Sequence, residues 1–212
     1  MGHWSGTSVD RSLRALAIVA VLVVLGTVDG AAAQAGWARL DFGGGRYARR
    51  YLPTSVAICD PLPLVLFLHG AGGTPEAYES HLEAHAESLG LVLVLPAASG
   101  AGWSDADTPT LNAALDAVDA ELVVDGTRTY VAGHSAGGAW AYILGYGSPG
   151  IAAIFSMSAP FYSVGGVADP SYVPPIHMYY GADDPNYTGG SAAALEAQWT
   201  RLGAVHETDV QT

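Results

Sequence analysis

Apolar and polar positions follow two rhythms along this chain, one of period two and one of period near 3.6. Residues 37–42 and 46–52 alternate on either side of Gly43-Gly44-Gly45, which predicts a β-hairpin. Leu64-Val65-Leu66-Phe67-Leu68 is unbroken apolar sequence, as in a strand covered on both faces. Residues 75–89 read as a helix capped by Thr74, with Pro75 at its first position and Gly90 past its end. A second buried strand, 91–95, stops at Pro96. Thr108 caps a helix from Pro109 to about Leu122, with Leu111, Ala114, Leu115 and Val118 on one face. Strands follow at 129–132, 151–157 and 176–180, with helices at 136–146 and 191–202 and a last strand at 205–212. Alternating strands and helices without an internal repeat predict one α/β domain. Its sheet is doubly wound and mostly parallel, the last strand is cut short by the chain end, and the site lies at the carboxyl ends of the strands.

The first 35 residues read as a targeting segment rather than as fold. Arg11 and Arg14 precede an unbroken apolar run, residues 15–25, and both 31–33 and 33–35 offer a small-x-small cleavage pattern. At ~1.5 Å per residue that run spans about 16 Å, roughly half of a bilayer core, so it predicts a cleaved signal peptide and no stable membrane anchoring. The expected organisation is residues 1–35 as signal peptide and 36–212 as mature domain, secreted or periplasmic.

Half of the chain is apolar and 13% is charged, enough for a sizeable core and too apolar for disorder. All basic residues are arginine, and the formal charge of −12 survives removal of the signal, which carries two Arg and two Asp. Such a surface repels phosphate backbones and excludes nucleic acid as a partner. The single cysteine, Cys59, has no intrachain partner, and the burial habits of free cysteine predict a buried thiol.

Gly133-His134-Ser135-Ala136-Gly137 matches G-x-S-x-G, the nucleophile elbow. The chain turns so tightly from strand to helix that the serine is strained and its neighbours must be small. A buried strand before the motif and a helix after it supply the context that the bare pattern lacks. His69-Gly70-Ala71-Gly72-Gly73 follows the first buried strand, where half of an oxyanion hole belongs. The expected donors are the amides of Ala136 and Ala71, with Gly72 the alternative to Ala71; no lysine follows, so the loop is not a phosphate loop. Gly181-Ala182-Asp183-Asp184-Pro185 follows a later strand, in the chain order a triad acid requires. The spacing favours Asp184 over Asp183.

Together these segments resemble the polyhydroxybutyrate depolymerase–feruloyl esterase group of α/β-hydrolases. The similarity runs over residues 46–199 and includes Arg46-Tyr47, Leu52-Pro53, residues 63–73, residues 124–132 leading into the elbow, and 181–190 with Asp184-Pro185, Tyr187 and Gly189-Gly190. The resemblance implies an α/β-hydrolase fold and hydrolysis of hydroxyalkanoate, hydroxycinnamate or acetylated-sugar esters, on small-molecule or polymeric substrates and without a cofactor. It implies Ser135 as nucleophile and Asp184 as acid. Many secreted members carry a cysteine directly after the His-Gly pair; here Ala71 stands there.

A serine hydroxyl needs a base, and His206 is the only histidine after Asp184. It sits at the start of the last strand, about 20 Å of extended chain from Thr212 and so toward the wrong sheet edge. The base is therefore expected past Thr212, on a chain truncated here. His69 is expected to bond locally beneath its loop. His81 and His85, with Glu79 and Glu83, are read as a solvated helix face, with no metal. Trp103 and Tyr187, in loops near the site, are candidate substrate contacts. A transferase or peptidase on the same serine, or a non-catalytic fragment, stands as the alternative.

Overall fold

The computed structural model describes residues 33–146, 148–164 and 172–212. The apolar run 15–25 and its arginine flanks lie outside the described residues.

An eight-stranded sheet has the order β1-β2-β4-β3-β5-β6-β7-β8. Strands β1 (Gly36–Asp41) and β2 (Tyr47–Leu52) form the antiparallel hairpin read from the sequence, its turn made by Gly43, Gly44 and Gly45, all at positive φ. β2 pairs antiparallel with β4 (Val92–Pro96). β3 (Leu62–Leu68), β4, β5 (Val124–His134), β6 (Ala153–Met157), β7 (Ile176–Gly181) and β8 (His206–Gln211) are parallel. β8 pairs with all six residues of β7, from Ile176 to Gly181.

Helices α1 (Glu76–Leu89), α2 (Thr108–Glu121), α3 (Ala136–Gly145), the single turn α4 (Pro185–Thr188) and α5 (Ser191–Arg201) supply the crossovers. Side-chain alternation splits the core into two layers. Leu64, Leu66, Val92, Val94, Val131, Ile154 and Met178 pack with residues of α2, α3 and α5. Phe67, Leu93, Leu95 and Ala132 pack with Ala86, Tyr78 and Leu82 of α1. Each fully buried leucine or valine contributes roughly 1.5–3 kcal/mol, so the central strands hold the frame on which the loops sit. On the β6–β7 flank, Ile154, Ser156, Ile176, Met178 and Tyr180 are buried, whereas Phe155, Met157, His177 and Tyr179 on the opposite face are half-buried.

Three local expectations are corrected. Thr74 makes no side-chain cap: α1 starts from Pro75, and only its C-terminal Gly90, at φ 63°, behaves as read. Thr108 is inside α2, and the carboxylate before it, Asp107, ends a 3-10 turn (Asp105–Asp107) and binds the amides of Ser99 and Ser104 at 2.6 and 2.8 Å. A buried carboxylate satisfied by two amides holds its loop more firmly than the hydroxyl would. Cys59 is exposed in the 57–60 turn rather than buried, because the loop before β3 runs over the surface. No helix of the described residues is long and apolar enough to cross a membrane.

Candidate active site

β5 ends at His134, α3 begins at Ala136, and Ser135 joins them at φ 53° and ψ −119°. A non-glycine residue at positive φ is held there only when its surroundings leave no choice. Here they do: Ser135 donates its amide to Met157 O at 2.8 Å, and its carbonyl accepts from Ala139 at 3.0 Å. The flanking glycines are demanded by contact rather than by freedom. A Cβ on Gly133 would overlap the carbonyl oxygen of Gly137, and one on Gly137 would overlap that of Leu68. The elbow is therefore wedged against the end of β3.

The loop after β3 lies beside it. A Cβ placed on Gly70 would sit 3.5 Å from Ser135 Cβ and 3.1 Å from His134 Nδ1. His69 is buried and braces the loop as expected: its Nδ1 lies 2.8 Å from Gly70 O, and its Nε2 accepts from Ala98 N at 3.1 Å. The amides of this loop are largely spent. Gly70 donates to Tyr78 Oη, Gly72 to Ala101 O at 2.7 Å and Gly73 to Gly70 O. Among the described residues, the amides of Ala71 and Ala136 have no partner.

Asp184 caps α4, accepting from Asn186 N at 2.7 Å through Oδ1. Asn186 Nδ2 donates in turn to Ser158 O at 2.8 Å, tying the loop after β7 to the end of β6. Ser158 is the second non-glycine residue at positive φ (50°), its amide donating to Tyr179 O. Ser135, Ser158, Asp183, Asp184, His134, Gln211 and Thr212 line one open cleft of about 770 Å³, within the range of small-ligand sites. Asp183 is exposed and Asp184 half-buried. Burial holds the His134 imidazole below the usual histidine range, against the opposing pull of the Asp184 charge.

Residues 65–209 match the Alpha/beta hydrolase family, more than half of the chain. The chain belongs to that family. NocK of Nocardia uniformis subsp. tsuyamanensis is 30% identical over 148 residues, 63% of this chain and 43% of that protein. A bifunctional acetylxylan esterase/xylanase of Neocallimastix patriciarum is 32% identical over 151 residues, 67% of this chain and 22% of that protein. The chain thus spans less than half the length of these curated relatives. S-formylglutathione hydrolase (FrmB) of Staphylococcus aureus has the same fold, with TM-score 0.68 at 15% identity over 84% of this chain and 91% of that one. A ferulic acid esterase has TM-score 0.62 at 17% identity over 78% and 83%.

In this alpha/beta hydrolase the structure gathers Ser135, Asp184, Ala71 and Ala136 around the carboxyl ends of the strands. It places the remaining candidates elsewhere. Trp103 donates its indole N–H to His69 O at 2.8 Å and packs on the His69 ring, supporting the loop without lining the cleft. Tyr187 is exposed, its ring 6.0 Å from that of Tyr180, and it too is not among the cleft residues. His206 pairs opposite Ile176, at the far end of β7 from Gly181, and its Nδ1 lies 3.2 Å from Ala204 O. Glu79 and Glu83 engage Arg49 and the Trp37 indole. No histidine nitrogen among the described residues is bonded to Ser135. Sequence reasoning missed Tyr78, Asp107, Asn186 and Ser158; of these, Asn186 lay in the 181–190 segment already singled out.

Proposed function

We propose that this protein is a serine esterase that hydrolyses carboxylic esters through an acyl-Ser135 intermediate. One observation carries the reading. The strained Ser135 directly precedes the Ala136 amide at the start of α3, which has no partner, and the Ala71 amide is likewise without one in a loop whose Gly70, Gly72 and Gly73 amides are already bonded. Donors held rigidly toward a developing alkoxide are worth about 3–4 kcal/mol each in such reactions. Ser135 Oγ attacks the ester carbonyl, the amides hold the oxyanion, and the alcohol leaves with a proton; water then releases the acid by the same route. Asp184 keeps one carboxylate oxygen clear of the Asn186 bond to orient an imidazole.

The base that this reading requires is an imidazole in the cleft, within reach of Ser135 and of the free Asp184 oxygen. Faster labelling of Ser135 by a fluorophosphonate when free imidazole is added tests whether the described residues supply it; no change is expected where a base is already in place. The substrate belongs with hydroxyalkanoate, feruloyl or acetyl-sugar esters. Both curated relatives carry esterase in their names, one as an acetylxylan esterase/xylanase, and a structural neighbour is a ferulic acid esterase. Export with cleavage near Ala33 or Ala35 completes the proposal, and N-terminal sequencing of protein from outside the cytoplasm checks it. The activity itself is tested with a fluorophosphonate probe on wild type and Ser135→Ala. Labelling of the wild type alone is expected, while equal labelling of both discards the catalytic reading.

A further inference from the structure

Two residues outside the proposed chemistry touch both of its halves. Tyr78, in the first turn of α1, accepts the Gly70 amide at its Oη, at 3.2 Å, and lies 2.8 Å from His134 Nδ1. Gly70 directly precedes Ala71, and His134 directly precedes Ser135. The direction of the chain of bonds follows from what each group can do. The Gly70 N–H can only donate, so Tyr78 Oη is its acceptor; the phenol has one proton, and the remaining partner for it is His134 Nδ1. That nitrogen must then carry a lone pair, which puts the His134 proton on Nε2. The tautomer is set by the bond at the other nitrogen.

We propose that Tyr78 and His134 are positioning residues that lock the oxyanion loop to the nucleophile elbow through the sequence Gly70 N–H to Tyr78 Oη, Tyr78 O–H to His134 Nδ1. The kinetic consequence rests on the esterase reading; the hydrogen-bond chain does not. The two oxyanion amides come from the ends of different strands, β3 and β5, so their spacing is not set by any local turn. The phenol bridges that gap. It also occupies the Gly70 amide, leaving Ala71 as the donor next in line. Contact between loop and elbow is already tight, since a Cβ on Gly70 would meet His134 Nδ1 at 3.1 Å, and a loosened loop shifts directly against Ser135. The Tyr78 ring packs at 4.9 Å on Phe67 and 5.9 Å on His134, so Tyr78→Phe keeps the packing and deletes only the hydroxyl.

The test compares wild type with Tyr78→Phe, His134→Leu and His134→Asn, whose amide oxygen can take the place of Nδ1. Tyr78→Phe and His134→Leu are each expected to lower kcat, and the rate of fluorophosphonate labelling, about tenfold with KM within about twofold. The double variant falls no further than either single one, and His134→Asn recovers most of the rate. An unchanged kcat in Tyr78→Phe, or a loss confined to KM, overturns the proposal. Two measurements on the folded protein judge it independently of turnover. Nitrogen-15 spectra are expected to place the His134 proton on Nε2, and the Gly70 amide is expected to exchange faster in Tyr78→Phe. A proton on Nδ1, or unchanged exchange, overturns the proposal even if wild type labels well. Absence of wild-type labelling with both NMR results as expected removes the esterase reading alone.

Discussion

The Ser135 side of the cleft is shaped by backbone atoms pressed against one another, whereas the Asp184 side is shaped by side-chain hydrogen bonds across a short loop. At the elbow, Gly133 and Gly137 leave no room for a methyl group, and Ser135 holds a positive φ because β5, α3 and β6 meet around it. At the loop after β7, Asp184, Asn186 and Ser158 are linked by two bonds of 2.7 and 2.8 Å, and the turn 183–190, which holds the first two, is largely exposed. The difference teaches where precision is expensive. In the esterase reading, a nucleophile and its oxyanion donors need sub-ångström placement and stand at the ends of the central strands, whereas an orienting carboxylate needs only direction, and a capped turn suffices.

Substitutions can break or sharpen this contrast. The largest effect is expected from Asp184→Asn, a loss of about 10³–10⁴-fold in kcat with folding intact, against a change within about twofold for Asp183→Asn. Comparable losses in the two variants would reassign the acid. Gly137→Ala strikes the other half: its new Cβ meets the Leu68 carbonyl, and a stability loss of about 3 kcal/mol or more is expected in denaturant titrations. A wild-type midpoint would show that the elbow can relax.

Asp107 probes the frame behind the loop that follows β3. Asp107→Ala strands the Ser99 and Ser104 amides and is expected to cost about 2 kcal/mol. Burial alone would raise its pKa, but the hydrogen bonds from Ser99 and Ser104 outweigh it and hold the carboxyl below the usual carboxylate range. Its stabilisation is therefore complete above about pH 4 and is lost as pH falls through the depressed value. Between about pH 5 and about pH 3, Asp107→Asn should lose less Tm than wild type; a parallel decline would remove Asp107 from the acid response. The smallest effect is expected from Asn186→Ala, about 1 kcal/mol in stability with kcat lowered several-fold and KM little changed, as the Asp184 loop loses its tie to Ser158.

The strand and helix succession, the hairpin at Gly43–Gly45, the tight strand-to-helix turn at Ser135 and the loop after β7 were all legible along the chain. Each depends on neighbours within a few residues: alternation sets strands, glycine permits the close turn, and a buried run marks a central strand. Less was legible where distant residues compete for one atom. Thr74 and Thr108 carry capping hydroxyls, yet the first makes no cap bond and the second lies inside α2, while Asp107 at the N-cap position spends its carboxylate on two amides from the 99–104 loop. Trp103 lies in a loop near the site but spends its N–H on His69 O.

By itself, then, the order of residues determined the α/β architecture and the points where a nucleophile and an acid could stand, since these are consequences of local sterics and periodicity. Tertiary structure alone decided which amides are already taken, which side chains face the cleft, and that Tyr78 sits between Gly70 and His134. Those choices are made by groups 8 and 56 positions from Tyr78's own place in the chain, and no local pattern reports such contacts.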